Sequence, residues 1–430
     1  MKARKLFSDG FAVLSIRMLT VVAGAAVSVV VSRTLGPQGR GTYVIPGMVA
    51  ALVATPFAGL STTVASSMLR DCTGAGAIPA ALFASLPLIV ISALAALLIT
   101  ALMHQLWALP FTLSVLPFLA ISAIATGYAY GTKNPRAVTT IALVTSVSIL
   151  TFLSLGFVVL HRTSEVAITM WLAGNVFIGL ASISVVLWHS RRLERRKVAT
   201  WPFFTYSLRV AANGVVSLLN YRMSLYIVAF FLSHAALGLY STAVSSAETI
   251  FIAAQVASIV TASHIGSLSP EEAAHLAARC IRNNLVLVAL GSSAAMLAAP
   301  FIIRLLFGAA FLPAVPALRL LLLGMIPMSV AGVIANYYTL NARRPQVALI
   351  VTGLSAAACA TISVILVPRI GITGAAIGTT ASYAISIAFM IGYFSRQTKI
   401  AVAHIICPQR EDIRGFRALF ASLLVRPSVG

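Results

Sequence analysis

The sequence predicts an all-α membrane protein of about twelve transmembrane helices in two six-helix lobes, and three observations carry that prediction. The 430 residues are 60% hydrophobic and only 9% charged, with a mean hydropathy of +0.99, which excludes an ordinary soluble domain and with it the rule of one domain per about 150 residues. The apolar residues gather into segments of the roughly 20-residue length that crosses a bilayer. The basic residues sort onto alternate connections between those segments, as cytoplasmic loops require.

Taken in order, Lys2, Arg4 and Lys5 precede an apolar run from Phe11 to Ser32. That run exceeds the apolar core of a signal peptide, about 7 to 15 residues, so it reads as a retained first span. Further spans are expected near residues 42–67, 77–103, 111–131, 138–160, 166–188, 206–232, 239–263, 284–303, 317–340, 346–367 and 373–395. Pro46, Pro56, Pro87, Pro117 and Pro327 fall inside spans. Proline removes a backbone donor and kinks a helix, which membrane proteins tolerate where neighbours satisfy the freed carbonyl. With this count, 21 of the 30 Lys and Arg lie on the termini or even-numbered connections, six on odd-numbered ones and three, Arg17, Arg209 and Arg222, within spans. Both termini are therefore expected in the cytoplasm. The net charge of +21 is then a topology signal that also suits anionic headgroups of the inner leaflet, and not a nucleic-acid surface.

The most basic connection, HSRRLERRK from His189 to Lys197, falls halfway along the chain. It divides an N-terminal lobe, 1–188, from a C-terminal lobe, 203–396, with a linker at 189–202. In the tail, 397–430, Ile413, Phe416, Leu419, Phe420 and Leu423 recur at helical spacing beside Arg410, Arg414 and Arg417, the pattern of a helix lying on the membrane surface. The halves also share a motif. Leu35 precedes Gly41-Thr42-Tyr43 by five residues, and Leu232 precedes Gly238-Leu239-Tyr240 by five, an offset of 197. Six spans separate the copies, so both halves enter the membrane in the same sense, as parallel repeats.

Polar residues inside the spans are the candidate functional groups. The stretch Phe203–Tyr240 is long enough to cross the bilayer yet carries Arg209, Asn213, Asn220 and Arg222. At about 100° per residue, Tyr206, Arg209, Asn213, Ser217, Asn220 and Ser224 form one stripe roughly 80° wide, and Arg222 projects elsewhere. An arginine at mid-bilayer costs on the order of 2.5–3.5 kcal/mol, so such a helix is expected to line a polar path. Arg17, Thr20, Gly24 and Ser28 form a comparable stripe on the first span, and Ser241, Ser245, Glu248 and Gln255 one on the eighth. Arg17 and Arg209 have a second reading, snorkelling to the inner surface from near the span ends. Glu248 is the only acidic residue expected inside a span; it is either a coupling carboxylate or the structural partner of an arginine.

Enzyme signatures are missing from the sequence. It has no phosphate-loop motif, no HExxH, and wrong glycine spacing for a dinucleotide turn in GPQGRG at Gly36–Gly41. No metal or cofactor is expected. Cys72, Cys280, Cys359 and Cys407 fall on the cytoplasmic side or within a span, where no disulfide is expected. No outward connection exceeds roughly a dozen residues, little room for a polymerase or ligase acting outside.

Four segments carry a family resemblance: SRTLGPQGRGTY at Ser32–Tyr43, LGLYSTA at Leu237–Ala243, PFIIRLLFGAAFLPAVPALRLL at Pro300–Leu321 and PRIGITGAAIGT at Pro368–Thr379. In these the chain resembles the polysaccharide flippases of the multidrug, oligosaccharidyl-lipid and polysaccharide exporter superfamily. The resemblance implies two six-helix lobes around a central cavity, alternating access, and movement of undecaprenyl-diphosphate-linked oligosaccharides across the bacterial plasma membrane. It implies polysaccharide polymerase and chain-length proteins as partners. Arg17, Arg209, Asn213, Asn220 and Arg222 are then the expected substrate contacts, since the guanidinium fork matches diphosphate oxygens, with Glu248 and Gln255 as coupling or structural groups. Members often carry an acidic residue just after the span-seven Asn and Arg; here the sequence reads Asn220-Tyr221-Arg222-Met223-Ser224, which leaves a coupling role at that position unsupported. The rival expectations are a drug/cation antiporter of the same superfamily, a peptidoglycan-precursor flippase, a membrane glycosyl- or acyltransferase, and a non-transporting component of the polysaccharide machinery.

Overall fold

The structure, a computed structural model, describes residues 2–70, 73, 76–132, 135–190, 198–265 and 268–409. The central run of the basic linker, 191–197, and the expected tail helix beyond residue 409 lie outside the described residues. The described chain is helical: α1 (Lys2–Val53), α2 (Thr55–Arg70), α3 (Ala77–Leu102), α4 (Leu109–Gly131), α5 (Pro135–Val159), α6 (Ser164–Ser190), α7 (Thr200–Phe231), α8 (His234–Ile265), α9 (Pro270–Leu306), α10 (Val315–Asn336), α11 (Pro345–Ile370), α12 (Ile372–Thr398) and the short α13 (Val402–Ile406). Ten helices among the described residues are long and apolar enough to cross a membrane, making this a multi-pass integral membrane protein. Two features separate this number from the expected twelve. The first of the ten contains a reversal at Gly36, and α8, 32 residues long, is not among them.

Gly36 adopts φ 67°, ψ −176°, a conformation open to glycine and costly for other residues. There α1 folds into two arms, 2–35 and 37–53. The second span then continues into α2 after a break at Ala54. Pro56 supplies no N–H for the carbonyl of Leu52, which accepts instead from Thr55 Oγ1 at 2.6 Å. The Phe57 N–H turns to the Ala54 carbonyl at 2.9 Å, and the carbonyl of Val53, left without it, accepts from Ser92 Oγ of α3 at 2.6 Å. The freed acceptors of this proline kink are thus satisfied by hydroxyls, the condition for a broken helix inside a membrane.

Helix packing repeats with a shift of six. Within the first lobe α2 packs on α4, α4 on α6, α5 on α6, α1 on α5 and α3 on α4; within the second, α8 packs on α10, α10 on α12, α11 on α12, α7 on α11 and α9 on α10. Between the lobes the largest contacts are α1 with α8 and α2 with α7, which exchange under the same shift. The parallel repeat read from one motif therefore extends through the whole helix order. One apolar cluster, with Val53, Phe57, Leu88, Leu116 and Tyr128, fills the first lobe. A larger one, with Tyr240, Phe311, Leu322 and Tyr383, fills the second and takes in Ile45 and Met48 from the first.

Candidate functional site

The two motif copies meet at the end of the bundle that carries the odd-numbered connections. A Cβ placed on Gly41 would lie 1.7 Å from the carbonyl oxygen of His234, and one on Gly238 would lie 2.0 Å from that of Pro37. The glycines are needed because each backbone runs against the other lobe. Thr42 Oγ1 and His234 Nδ1 are 3.2 Å apart, and Tyr226 donates its hydroxyl to the Met48 carbonyl at 2.9 Å.

Arg40, between the two glycines Gly39 and Gly41, is 4% exposed. Its Nε donates to Ser241 Oγ at 3.0 Å and its Nη2 to Ser245 Oγ at 3.2 Å, both on α8. Its Nη1 donates to the Ser28 carbonyl and Ser28 Oγ, each at 2.8 Å, and to Ser32 Oγ on α1. The guanidinium also stands 5.7 Å from the centroid of the Phe307 ring. Nearby, Arg33 donates to the carbonyls of Leu305 and Leu306, filling two of the acceptors that the end of α9 leaves open. Sequence reasoning counted Arg40 as an ordinary loop charge. A basic residue flanked by two glycines in the repeated motif was the signal available.

Beneath this closure lies a cavity of about 1110 Å³. Ser28, Ser245 and Phe307, three of the groups that touch Arg40, form part of its wall. From there it extends along α1 and α8, past Arg222 and Glu248, towards Tyr130 and Val138 at the opposite ends of α4 and α5. Arg222 Nη2 donates to Glu248 Oε2 at 3.1 Å, with side chains 37% and 33% exposed. Arg222 lies nine residues from the end of α7 at Phe231, roughly 14 Å of helix, and so close to the middle of a hydrocarbon layer about 30 Å thick. Glu248 is the only acidic residue among the described residues of the wall. Aromatic and hydroxyl groups, among them Tyr221, Phe251, Thr249 and Tyr383, share the remainder with aliphatic side chains such as Val244, Leu321 and Met325.

The expected stripes fare unequally. On α8, Ser245, Glu248 and Gln255 line the cavity, with Ser241 behind the wall at Arg40. On α1, Thr20, Gly24 and Ser28 line it; the side chain of Arg17 lies outside the described residues. On α7 the expected face and the observed face differ. Leu218, Tyr221, Arg222 and Ser224 line the cavity, whereas Arg209 and Asn213 are exposed away from its wall. Asn220 is buried, 5% exposed, its Oδ1 meeting no donor among the described residues. The cause is packing: Ser207 Oγ donates to Thr63 Oγ1 of α2 at 3.0 Å and Gly214 faces Thr55, which fixes the rotation of α7. The arginine off the stripe is the one that reaches the cavity.

Among the described residues no three or more His, Cys, Asp or Glu are placed to hold a metal ion. Cys280, Cys359 and Cys407 are free thiols; Cys72 lies outside the described residues. A second, smaller cavity of about 410 Å³, at the even-numbered end, is walled by His275, Arg279, Arg282 and His404.

No family model and no curated protein matches the sequence. Solved structures do match. A multidrug resistance MATE family transporter of the MOP superfamily, in an inward-facing conformation, superposes with a TM-score of 0.69 at 16% identity, over 91% of this chain and 99% of that one. The lipid II flippase MurJ, in an inward closed conformation, gives 0.71 at 15% identity over 98% and 94%. A MOP superfamily transporter from Pyrococcus furiosus, described as having a binding pocket of reverse polarity, gives 0.62 at 14% over 92% and 95%. The chain has the fold of MOP-superfamily transporters.

Proposed function

We propose that the protein is a flippase that moves a lipid-linked oligosaccharide carried on a diphosphate across the bacterial plasma membrane by alternating access. The observation that supports this reading best is the charge of the cavity. Its one described carboxylate, Glu248, is already paired with Arg222, and a second guanidinium, Arg40, stands behind the wall with hydroxyl partners. The sum favours an anion, and hydroxyl-bearing and aromatic walls suit a hydrated sugar beside it. The end with the odd-numbered connections is then the outer face, the closure of Gly41 on Gly238 is the outer gate, and both termini are cytoplasmic. The sequence resemblance to polysaccharide flippases agrees, and on this reading polysaccharide polymerase and chain-length proteins are its partners and anionic lipids face the basic even-numbered connections.

The alternative reading is a drug/cation antiporter, which the likeness to MATE transporters supports to the extent of the fold. It needs Glu248 available to a cation. Purified protein in liposomes decides between the two. A flippase translocates a fluorescent lipid-diphosphate oligosaccharide and loses at least about tenfold in rate on Arg222→Ala, the loss expected when a charge-assisted hydrogen bond disappears. An antiporter carries a cationic dye against a proton or sodium gradient and stops on Glu248→Gln.

A further inference from the structure

The two halves are related by an offset of 197 residues, and the offset can be followed side chain by side chain at the gate. Arg40 corresponds to Leu237, since 237 − 40 = 197. Its four serine partners correspond to Leu225 for Ser28, Ala229 for Ser32, Val44 for Ser241 and Met48 for Ser245. Leu237, Leu225, Ala229 and Met48 lie together in one buried apolar cluster, with Val44 packed against it. The fold therefore closes this interface with five apolar residues in one copy and with an arginine and four serines in the other. Apolar packing satisfies the fold there, so the charge is not a requirement of the architecture. A buried arginine held only by neutral groups carries a desolvation cost that hydroxyls repay only in part. Among the described residues no carboxylate lies within ion-pair distance of it.

From this asymmetry we propose that Arg40 is a second anion-contacting position of the transport path, at the roof of the cavity, and that it serves as a latch which an arriving phosphate group unfastens. This rests on the flippase reading and adds a residue and a step to it. Two of the Arg40 partners, Ser241 and Ser245, belong to the opposite lobe. Ser28 and Ser245 face the cavity, so a phosphate oxygen at the roof is one side chain away from the guanidinium. A phosphate brings a full negative charge and two oxygens that match the guanidinium fork, neither of which a neutral serine hydroxyl can offer. A phosphate therefore displaces Ser241 and Ser245, the lobes lose their charged clasp, and the outer gate is free to part. A neutral polyprenol offers only another hydroxyl, no better an acceptor than the serines already in place, and leaves the clasp closed.

The test uses the full chain in liposomes, with spin labels at the exposed positions Arg162 and Arg369 on the two lobes reporting opening of the outer end. The probes are a polyprenyl diphosphate and the matching neutral polyprenol. In the wild type the diphosphate lengthens the label distance and the polyprenol does not. Ser241→Ala with Ser245→Ala opens the gate without lipid, by at least about tenfold in the open-to-closed ratio. Arg40→Leu, which removes the guanidinium and its desolvation cost together and sets at this position the leucine of the other half, shows no change of label distance with the diphosphate and flips at least about tenfold more slowly. Arg40→Lys, which keeps the charge without the fork, recovers part of the response. An Arg40→Leu protein that opens and flips like a flipping wild type overturns the latch and leaves the flippase reading standing. A folded wild type that neither responds to nor flips any diphosphate lipid overturns both. Should Arg40→Leu fail to fold, the serine pair decides: no opening in that variant refutes the latch.

Discussion

Alanine at Gly41 isolates the gate from the chemistry of the cavity. In a helix an alanine is ordinarily better than a glycine by about 0.5–1 kcal/mol, so any loss on Gly41→Ala arises between the lobes and not within α1. The added Cβ would stand 1.7 Å from the His234 carbonyl oxygen, 2.5 Å from its carbonyl carbon and 3.0 Å from its Cα. All three are backbone atoms and cannot swing aside. Restoring the oxygen to even a 3.0 Å contact requires the two backbones to separate by 1.3 Å, the difference between 3.0 and 1.7 Å. That movement lengthens the Thr42–His234 contact of 3.2 Å beyond hydrogen-bonding reach and strains the Arg40 bonds to Ser241 and Ser245 at 3.0 and 3.2 Å. Overpacking of this kind costs about 1–3 kcal/mol against the closed arrangement, which is about 5- to 150-fold in the ratio of closed to open molecules. Electron–electron distance measurements between labels at Arg162 and Arg369 read that ratio directly. Gly238→Ala, whose Cβ meets the Pro37 carbonyl oxygen at 2.0 Å, is expected to act in the same direction, and Gly24→Ala, with nothing within 4 Å, is expected to be silent. A Gly41→Ala distribution indistinguishable from those of wild type and Gly24→Ala would falsify the assignment of this contact as the gate.

Four further outcomes follow from the geometry. Glu248→Gln removes the partner of Arg222 and leaves the cavity more positive; in a flippase it strengthens binding of a lipid diphosphate, read by isothermal titration, whereas an antiporter loses transport. Arg209→Ala and Asn213→Ala leave flipping within about twofold of wild type, since surface changes away from packed features are worth within about 0.5 kcal/mol; a large loss in either would place the substrate path on the other face of α7. Ser92→Ala strips the Val53 carbonyl of the hydroxyl that meets it at 2.6 Å and lowers thermal stability by about 1–3 kcal/mol, the cost of an unsatisfied buried acceptor. A variant retaining only Cys407, which is exposed, reacts with a membrane-impermeant maleimide in inside-out vesicles and not in intact cells; the reverse pattern would invert the proposed topology.

Hydropathy, charge placement and one short motif carried the architecture, because the bilayer is an external solvent that acts on each segment locally. A span is legible wherever about 20 apolar residues adjoin, and basic residues mark the expected inner side whatever the helices do to one another. The repeat was legible for a related reason: Gly41 and Gly238 sit where two backbones touch, and no other residue fits there. On α1 and α8 the cavity wall includes Thr20, Gly24, Ser28, Ser245, Glu248 and Gln255 of the expected stripes. What the sequence does not encode locally is how each helix is turned about its own axis. On α7 the polar stripe pointed one way, while packing through Ser207 and Gly214 against α2 turned Arg222 to the cavity and left Arg209 and Asn213 outside it. The environment of Arg40 was equally out of reach, because its partners come from residues 28, 32, 241 and 245. Local sequence was enough for the helical membrane fold class and for the repeated glycine motif, whereas the contact of Gly41 and Gly238 with the opposite lobe belongs to the folded chain. Only the tertiary structure decided which arginines meet the cavity, because that depends on the rotation and pairing of helices whose contacts lie some 200 residues apart.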